Sequence, residues 1–322
     1  MKKIIFTILI VIVIALSGLA LYVKFGLPNV GNAPDLKVER SQEKIARGEY
    51  LANHVTVCMD CHSTRDWKKY SGPIEPGTLG KGGEYFGPEM GFPGKFYSKN
   101  ITPYHLGNWT DGQIFRAITT GVNKDGDALF PVMPYSYYGR MDKEDIEAII
   151  AYLRTLTPIE SNTPQREIDF PLNFIVNTIP DKAHFTKRPP KANTVEYGAY
   201  LVNASGCREC HTPADDKGKI DLSLAFTGGR AFKMPGLMVR SANLTPDNET
   251  GLGNWTSELF VQRFKAYSTD SIPSGNTNTI MPWTMYAGMD TLDLEAIFTY
   301  LHSLKPVKNK VEHFEVVSVA KK

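Results

Sequence analysis

The sequence predicts an all-α protein in which one transmembrane helix precedes two tandem copies of a helical domain. Three observations predict it: an uncharged N-terminal run of 20 residues, a five-residue cysteine motif that occurs twice, and a longer internal repeat built around that motif. A chain of 322 residues is long for a single core and comfortable for two small ones. With 42% hydrophobic residues, 22% charged residues and a formal charge of +2, it has neither the composition of a disordered chain nor the basic surface of a nucleic-acid binder. The expected segments are an anchor over 1–26, a linker over 27–42, a first domain over 43–157, an interdomain linker over 158–192, a second domain over 193–307 and a tail over 308–322.

Met1-Lys2-Lys3 precedes the run from Ile4 to Val23, and Lys24 closes it. At about 1.5 Å per residue a helix of that length spans the hydrocarbon of a bilayer. A cleaved signal peptide has a shorter apolar core and a small-x-small site before a polar segment. Here Leu21-Tyr22-Val23 carries the apolar run up to Lys24, so an uncleaved anchor is expected, with Ala15-x-Ser17 as the alternative cleavage signal. Two lysines before the run against one after it favour a cytoplasmic N-terminus, which puts the rest of the chain on the extracytoplasmic side of the cytoplasmic membrane. No Cys follows the run, which excludes a lipoprotein anchor.

All four cysteines lie in two copies of one pattern, Cys58-Met59-Asp60-Cys61-His62 and Cys207-Arg208-Glu209-Cys210-His211. Cysteines three apart stand one helical turn from each other and match the two vinyl groups of haem, and the His that follows presents its imidazole to the iron. A zinc site would need a second Cys or His pair within a short loop, yet 149 residues separate the two motifs. A thioredoxin-type pair needs neither the trailing His nor a duplicate. The expectation is two covalently bound haem c groups, held by Cys58, Cys61 and His62 and by Cys207, Cys210 and His211.

The repeat extends well beyond the motifs. Gly48-Glu49-Tyr50-Leu51 matches Gly198-Ala199-Tyr200-Leu201, and Asn100-Ile101-Thr102-Pro103 matches Asn243-Leu244-Thr245-Pro246. Gly107-Asn108-Trp109-Thr110 matches Gly253-Asn254-Trp255-Thr256, Met133-Pro134 matches Met281-Pro282, and the helix that follows Met141-Asp142 matches the one that follows Met289-Asp290. Each unit reads as a helix ending in the cysteine motif, a Gly-rich loop region, a Met-Pro loop and a terminal amphipathic helix. Asn100, Asn108, Asn243, Asn248 and Asn254 sit in N-x-[ST], but most recur at matched places, so turn chemistry explains them better than glycosylation. The linker carries a broken apolar patch, Phe170 to Val176, too short to cross a membrane, which reads as interface packing or as a docking patch.

A carrier haem takes a second strong-field ligand, and Met is the common choice. Met133 and Met281 follow their motif histidines by 71 and 70 residues, Met141 and Met289 by 79 and 78, so spacing alone does not separate them. Met141 and Met289 each precede an Asp that reads as an N-cap, with Ile146 and Leu294 at N4 completing a hydrophobic staple. Met133 and Met281 stand in irregular chain before Pro, where the side chain can be held toward iron. The expected iron ligands are therefore His62 with Met133 and His211 with Met281. His54, four residues before Cys58, cannot reach across a porphyrin and is expected in a surface or packing role, while Trp109 and Trp255 are expected to pack as large core residues, with indole N–H groups able to reach a haem propionate.

The stretches Phe226-Thr227-Gly228-Gly229, Ser241 to Asp247 and Thr250-Gly251-Leu252-Gly253-Asn254-Trp255-Thr256 resemble the haem domains in cytochrome c subunits of membrane-bound periplasmic alcohol, gluconate and sugar dehydrogenases. The resemblance implies two tandem class I cytochrome c domains, His/Met ligation, and electron flow from a dehydrogenase toward a quinol-linked complex or terminal oxidase. Those subunits carry three haem domains and this chain has two motifs, so their quinone-reducing role does not carry over directly. The function read from the sequence is a non-catalytic di-haem electron carrier. The alternative is a di-haem cytochrome c peroxidase-like enzyme, which would leave one iron position open, whereas both halves here supply a Met-Pro segment.

Overall fold

The amphipathic segments fold as helices in this computed structural model, which describes residues 1–215, 218–268 and 277–317. In chain order they are α1 (Lys2–Phe25), α2 (Gln42–Tyr50), α3 (Cys58–Cys61), α4 (Pro103–Leu106), α5 (Asp111–Thr120), α6 (Tyr135–Tyr138), α7 (Lys143–Leu153), α8 (Leu172–Ile175), α9 (Thr194–Ala204), α10 (Cys207–Cys210), α11 (Ser257–Lys265), α12 (Trp283–Tyr286) and α13 (Thr291–His302). Strands β1 (Tyr85–Phe86), β2 (Gly94–Tyr97) and β3 (Glu167–Ile168) form one sheet in that order, and β4 (Ala231–Met234), β5 (Leu237–Arg240) and β6 (Phe314–Val316) form another.

The two three-stranded sheets overturn the all-α expectation. Both arise in the loop regions that follow the cysteine motifs. β4 and β5 pair antiparallel across Pro235-Gly236, with Gly236 at a φ of 74° that a tight turn requires, and Ala231 opposes Arg240. The third strands come from far along the chain, β3 from the linker and β6 from the tail. No local hydrophobic period announces a strand whose partner lies some 70 residues away.

The chain divides into two compact units. The first comprises Met1–Lys37, Trp109–Arg140 and Ile168–His184. α1 is long and apolar enough to cross a membrane, and its sole buried residue is Val23. Near that residue α1 meets α8 and the 3₁₀ turn Val176–Thr178, and Asn177 donates to the Val23 carbonyl at 3.3 Å. α5 opens with a reciprocal capping box between Thr110 and Gln113 and closes at Gly121, whose φ of 72° brings its backbone against the Tyr135 ring of α6.

The second unit comprises Val38–Asn108, Met141–Glu167 and Phe185–Lys322. Its core is two matched helix crossings, α2 on α7 and α9 on α13. Gly48 packs so closely on α7 that a Cβ would stand 1.8 Å from the Ala148 carbonyl oxygen, and at Gly198 it would stand 1.9 Å from that of Ala296. Met141, Ile146, Met289 and Leu294 are fully buried, as a staple requires. Asp142 caps α7 by accepting from the Glu144 amide at 3.1 Å, whereas Asp290 makes no side-chain cap on α13. Trp109, in the first unit, and Trp255, in the second, are partly exposed and do not belong to either core.

The two copies approach their cysteine motifs differently. Tyr50 precedes Cys58 by eight residues and Tyr200 precedes Cys207 by seven. The extra residue is absorbed as a π-helical turn, Leu51–Val55, between α2 and α3, where the second copy runs as plain α-helix to Ala204. Each approach then breaks at a left-handed residue, Val57 at φ 45° and Gly206 at φ 62°. The helix does not run unbroken into the motif in either copy.

Candidate haem sites

Each motif forms one isolated helical turn, which puts its two thiols on neighbouring rungs. The histidine amide closes the turn, His62 to the Cys58 carbonyl at 3.0 Å and His211 to that of Cys207 at 2.9 Å. Burial pushes all four thiols up, Cys61 and Cys207 to about 12 and Cys210 to about 11, so they are neutral donors.

The imidazoles are oriented alike. Nδ1 of His62 lies 2.7 Å from the Lys99 carbonyl and Nδ1 of His211 lies 2.8 Å from that of Ala242. A carbonyl can only accept, so Nδ1 carries the proton and Nε2 keeps its lone pair. Burial lowers both imidazole pKa values, opposed by these same bonds, and favours the neutral ring that a metal needs. Paired thiols plus a desolvated imidazole whose Nε2 keeps its lone pair fit the edge and proximal face of a c-type haem, and they do so in both copies.

The surroundings of the two turns differ. Asp60, inside the first motif, is buried and pairs with Arg65 at 2.9 Å, while its Oδ1 has no hydrogen-bond partner among the described residues. Burial raises its carboxyl to about 7 against the opposing pull of Arg65. Arg65 stacks 4.0 Å over Trp67 and donates to the carbonyls of Gly72 and Ser71 at 2.8 and 2.7 Å, which stiffens the loop after the motif. In the second motif Glu209 is partly exposed and pairs with Arg230 at 2.6 Å.

Met133 and Met281 occupy matched turns, and both side chains are partly buried. The Met133 carbonyl accepts from the Tyr135 amide at the start of α6, and the Met281 carbonyl from the Trp283 amide at the start of α12, each at 2.8 Å. Met133 belongs to the first compact unit; Met281 belongs to the second, which contains both cysteine turns. The Met281 carbonyl also accepts from Ser71 Oγ at 2.6 Å, Ser71 N donates to Asn278 at 2.9 Å, and Asn278 donates to the Trp67 carbonyl at 3.1 Å. The stiff loop of the first copy thus clasps the Met-Pro turn of the second. Nothing in the sequence around Ser71 signals this contact.

Asn100 and Asn243 are buried Asx turns. Each side-chain oxygen accepts from the amide and hydroxyl of the Thr two residues on, and each Nδ2 donates to a distant carbonyl, Ile159 at 2.7 Å or Val307 at 2.8 Å. That use of N-x-T leaves no accessible amide for a glycan. His54 packs on Gly288 with its Nδ1 2.8 Å from the Met285 carbonyl, a structural contact between the copies.

A pair of reciprocal contacts within the second unit also escapes sequence reasoning. Tyr50 donates to Asp293 at 2.8 Å and accepts from the Asp290 amide at 3.0 Å. Its counterpart Tyr200 donates to Asp145 at 2.7 Å and accepts from the Asp142 amide at 3.1 Å. Each tyrosine therefore caps the terminal helix of the opposite copy. Burial and the facing carboxylate hold both phenols far above their ordinary range, so they remain donors. The repeat displays these residues, but a capping rule accounts for the aspartates and a core position for the tyrosines, so the sequence gives no reason to join them.

No family model matches the chain. It is 30% identical over 280 residues to the cytochrome c subunit of a quinone-linked alcohol dehydrogenase from Gluconacetobacter polyoxogenes, covering 82% of this chain and 56% of the relative. To the gluconate 2-dehydrogenase cytochrome c subunit of Pantoea cypripedii it is 30% identical over 281 residues, covering 81% and 59%. To the fructose dehydrogenase cytochrome subunit of Gluconobacter japonicus it is 28% identical over 276 residues, covering 81% and 52%. The chain spans little more than half the length of these relatives. The resemblance carried by its motifs is thus a homology to cytochrome c subunits of dehydrogenases, and haem-dependent electron transport is the class of work that the sites define.

Proposed function

We propose that the chain is a di-haem electron-transfer subunit that takes electrons from a dehydrogenase and delivers them to a quinol-linked complex or terminal oxidase. α1 holds it in the cytoplasmic membrane, with haem domains at 43–157 and 193–307 on the extracytoplasmic side. The observation that carries this reading is the matched pair of cysteine turns, each followed by an imidazole whose Nδ1–H is bound to a carbonyl, so that Nε2 keeps its lone pair. Cys58 and Cys61, and Cys207 and Cys210, would attach the two haems, and His62 with Met133 and His211 with Met281 would ligate their irons. Bound haem supplies one-electron chemistry at iron. The protein's own part is to keep both irons closed, so that little rearranges on electron transfer.

A pyridine haemochrome assay on the full chain tests the count: two haems per chain that resist acid-acetone extraction are expected, and one haem or extractable haem refutes it. The ligands are tested separately. Met133→Ala and Met281→Ala should each remove the weak far-red absorption of one ferric His/Met haem and lower its potential, while Met141→Ala and Met289→Ala leave both haems intact. Rapid turnover of peroxide by the unmodified protein would favour the peroxidase reading instead.

A further inference from the structure

The first compact unit carries an exposed apolar segment that the haem chemistry does not use. Phe170 is 84% exposed, Phe174 38% and Ile175 42%, on and beside α8. Val176, which follows at once, is 3% exposed and opens the 3₁₀ turn that packs against α1. This segment is joined to one place on α1, the turn around Val23, through packing and the Asn177 bond to the Val23 carbonyl. Val23 lies two residues before the end of α1, or about 3 Å along its axis. At that end Tyr22 and Phe25 are themselves 56% and 74% exposed.

We propose that residues 168–179 form a second membrane contact, a short monotopic foot lying in the lipid surface of the outer leaflet. The proposal rests on the reading of α1 as a membrane anchor. A helix that crosses the bilayer fixes the depth of whatever packs on it, and an element packed on its last turn lies at the boundary between acyl chains and headgroups. There an exposed Phe170, Phe174 and Ile175 bury apolar surface that water would otherwise cover, and with Tyr22 and Phe25 they make an aromatic belt around the exit of α1. Lys24, beside Phe25, is placed to extend its ammonium to the headgroups. The fit is to lipid because the patch is continuous with the lipid-facing surface of α1. Two points of attachment also prevent this unit from rotating about the α1 axis.

The test uses the full haem-loaded chain in vesicles of phosphatidylcholine with phosphatidylglycerol, carrying the photo-crosslinker p-benzoylphenylalanine in place of Phe170, Phe174 or, at the middle of α1, Ile12. Phospholipid adducts measured by mass spectrometry should form at Phe170 and Phe174 with yields within about threefold of that at Ile12. Adding Phe170→Asp to the chain with the probe at 174 should cut that adduct several-fold and leave the Ile12 adduct unchanged, with an unaltered haem spectrum showing that the fold survives. An adduct at Ile12 with none at Phe170 or Phe174 overturns the foot and leaves the anchor standing. No adduct at Ile12 overturns both.

Discussion

The buried carboxylates Asp145 and Asp293 occupy the same place in the two copies, three positions into the terminal helix and fully buried, yet they are neutralised differently. Asp145 takes both arms of Arg47 at 3.0 Å, Arg188 at 2.6 Å and the Tyr200 hydroxyl. Asp293 takes Lys191 at 3.0 Å, Tyr197 at 3.1 Å and the Tyr50 hydroxyl. Arg47 and Tyr197 hold equivalent positions one residue before Gly48 and Gly198, so the same slot supplies a guanidinium in one copy and a phenol in the other. Burial opposes the charge on Arg47, but Asp145 outweighs it and raises the guanidinium further above its ordinary range. What persists is the requirement of a buried carboxylate for several donors, one of them a tyrosine from the other copy; the donor chemistry is free to change.

The largest effects should come from deleting the carboxylates. Asp145→Ala strands two guanidinium groups and should cost about 3–5 kcal/mol, while Asp293→Ala releases only a half-exposed ammonium and two phenols and should cost about 2–3 kcal/mol. Denaturant unfolding of the haem-loaded protein measures both. Equal losses would mean that the two guanidinium groups add nothing over one ammonium.

The tyrosines come next. Tyr50→Phe and Tyr200→Phe each leave a buried carboxylate short of one donor and a helix amide short of its acceptor, at about 1–3 kcal/mol. The two tyrosines share no hydrogen-bond partner, but Arg47 stacks on Tyr50 and pairs with Asp145, so the double variant should lose the sum to within about 1 kcal/mol. A markedly smaller joint loss would show that the first substitution already separates the copies.

Ser71→Ala tests the clasp on the Met281 turn. It should cost about 1 kcal/mol, and it should shift the potential and far-red absorption of the second haem while leaving those of the first unchanged. A shift in both haems, or in neither, would remove Ser71 from any part in holding the turn proposed to carry the ligand.

The smallest effect distinguishes the left-handed residues that lead into the cysteine turns. Gly206→Val forces a branched side chain into the left-handed region and should cost about 1–2 kcal/mol. Val57→Gly, which relieves the same conformation, should be neutral or stabilising by up to about 1 kcal/mol. Thermal unfolding reads both, and a loss at Val57 would mean that its side-chain packing exceeds the backbone strain.

Features that are local or duplicated were legible in the amino-acid sequence alone. The cysteine turns could be read because spacing along a helix is spacing in space, so Cys58, Cys61 and His62 need no distant partner to form their constellation. The helix pairs could be read through Gly48 and Gly198, Met141 and Met289, and Ile146 and Leu294, whose types recur at fixed separations. Whatever depends on long-range pairing was settled in the folded chain. Folding supplied β3 from the linker and β6 from the tail, turned one extra residue before Cys58 into a π-helical turn, and made Asp145 and Asp293, three residues past the aspartates that read as caps, acceptors for the other copy's tyrosines. The physical reason is common to all of these. A strand edge, a buried carboxylate and a loop carbonyl each need a hydrogen-bond partner, and local sequence states the need without saying which distant residue will meet it.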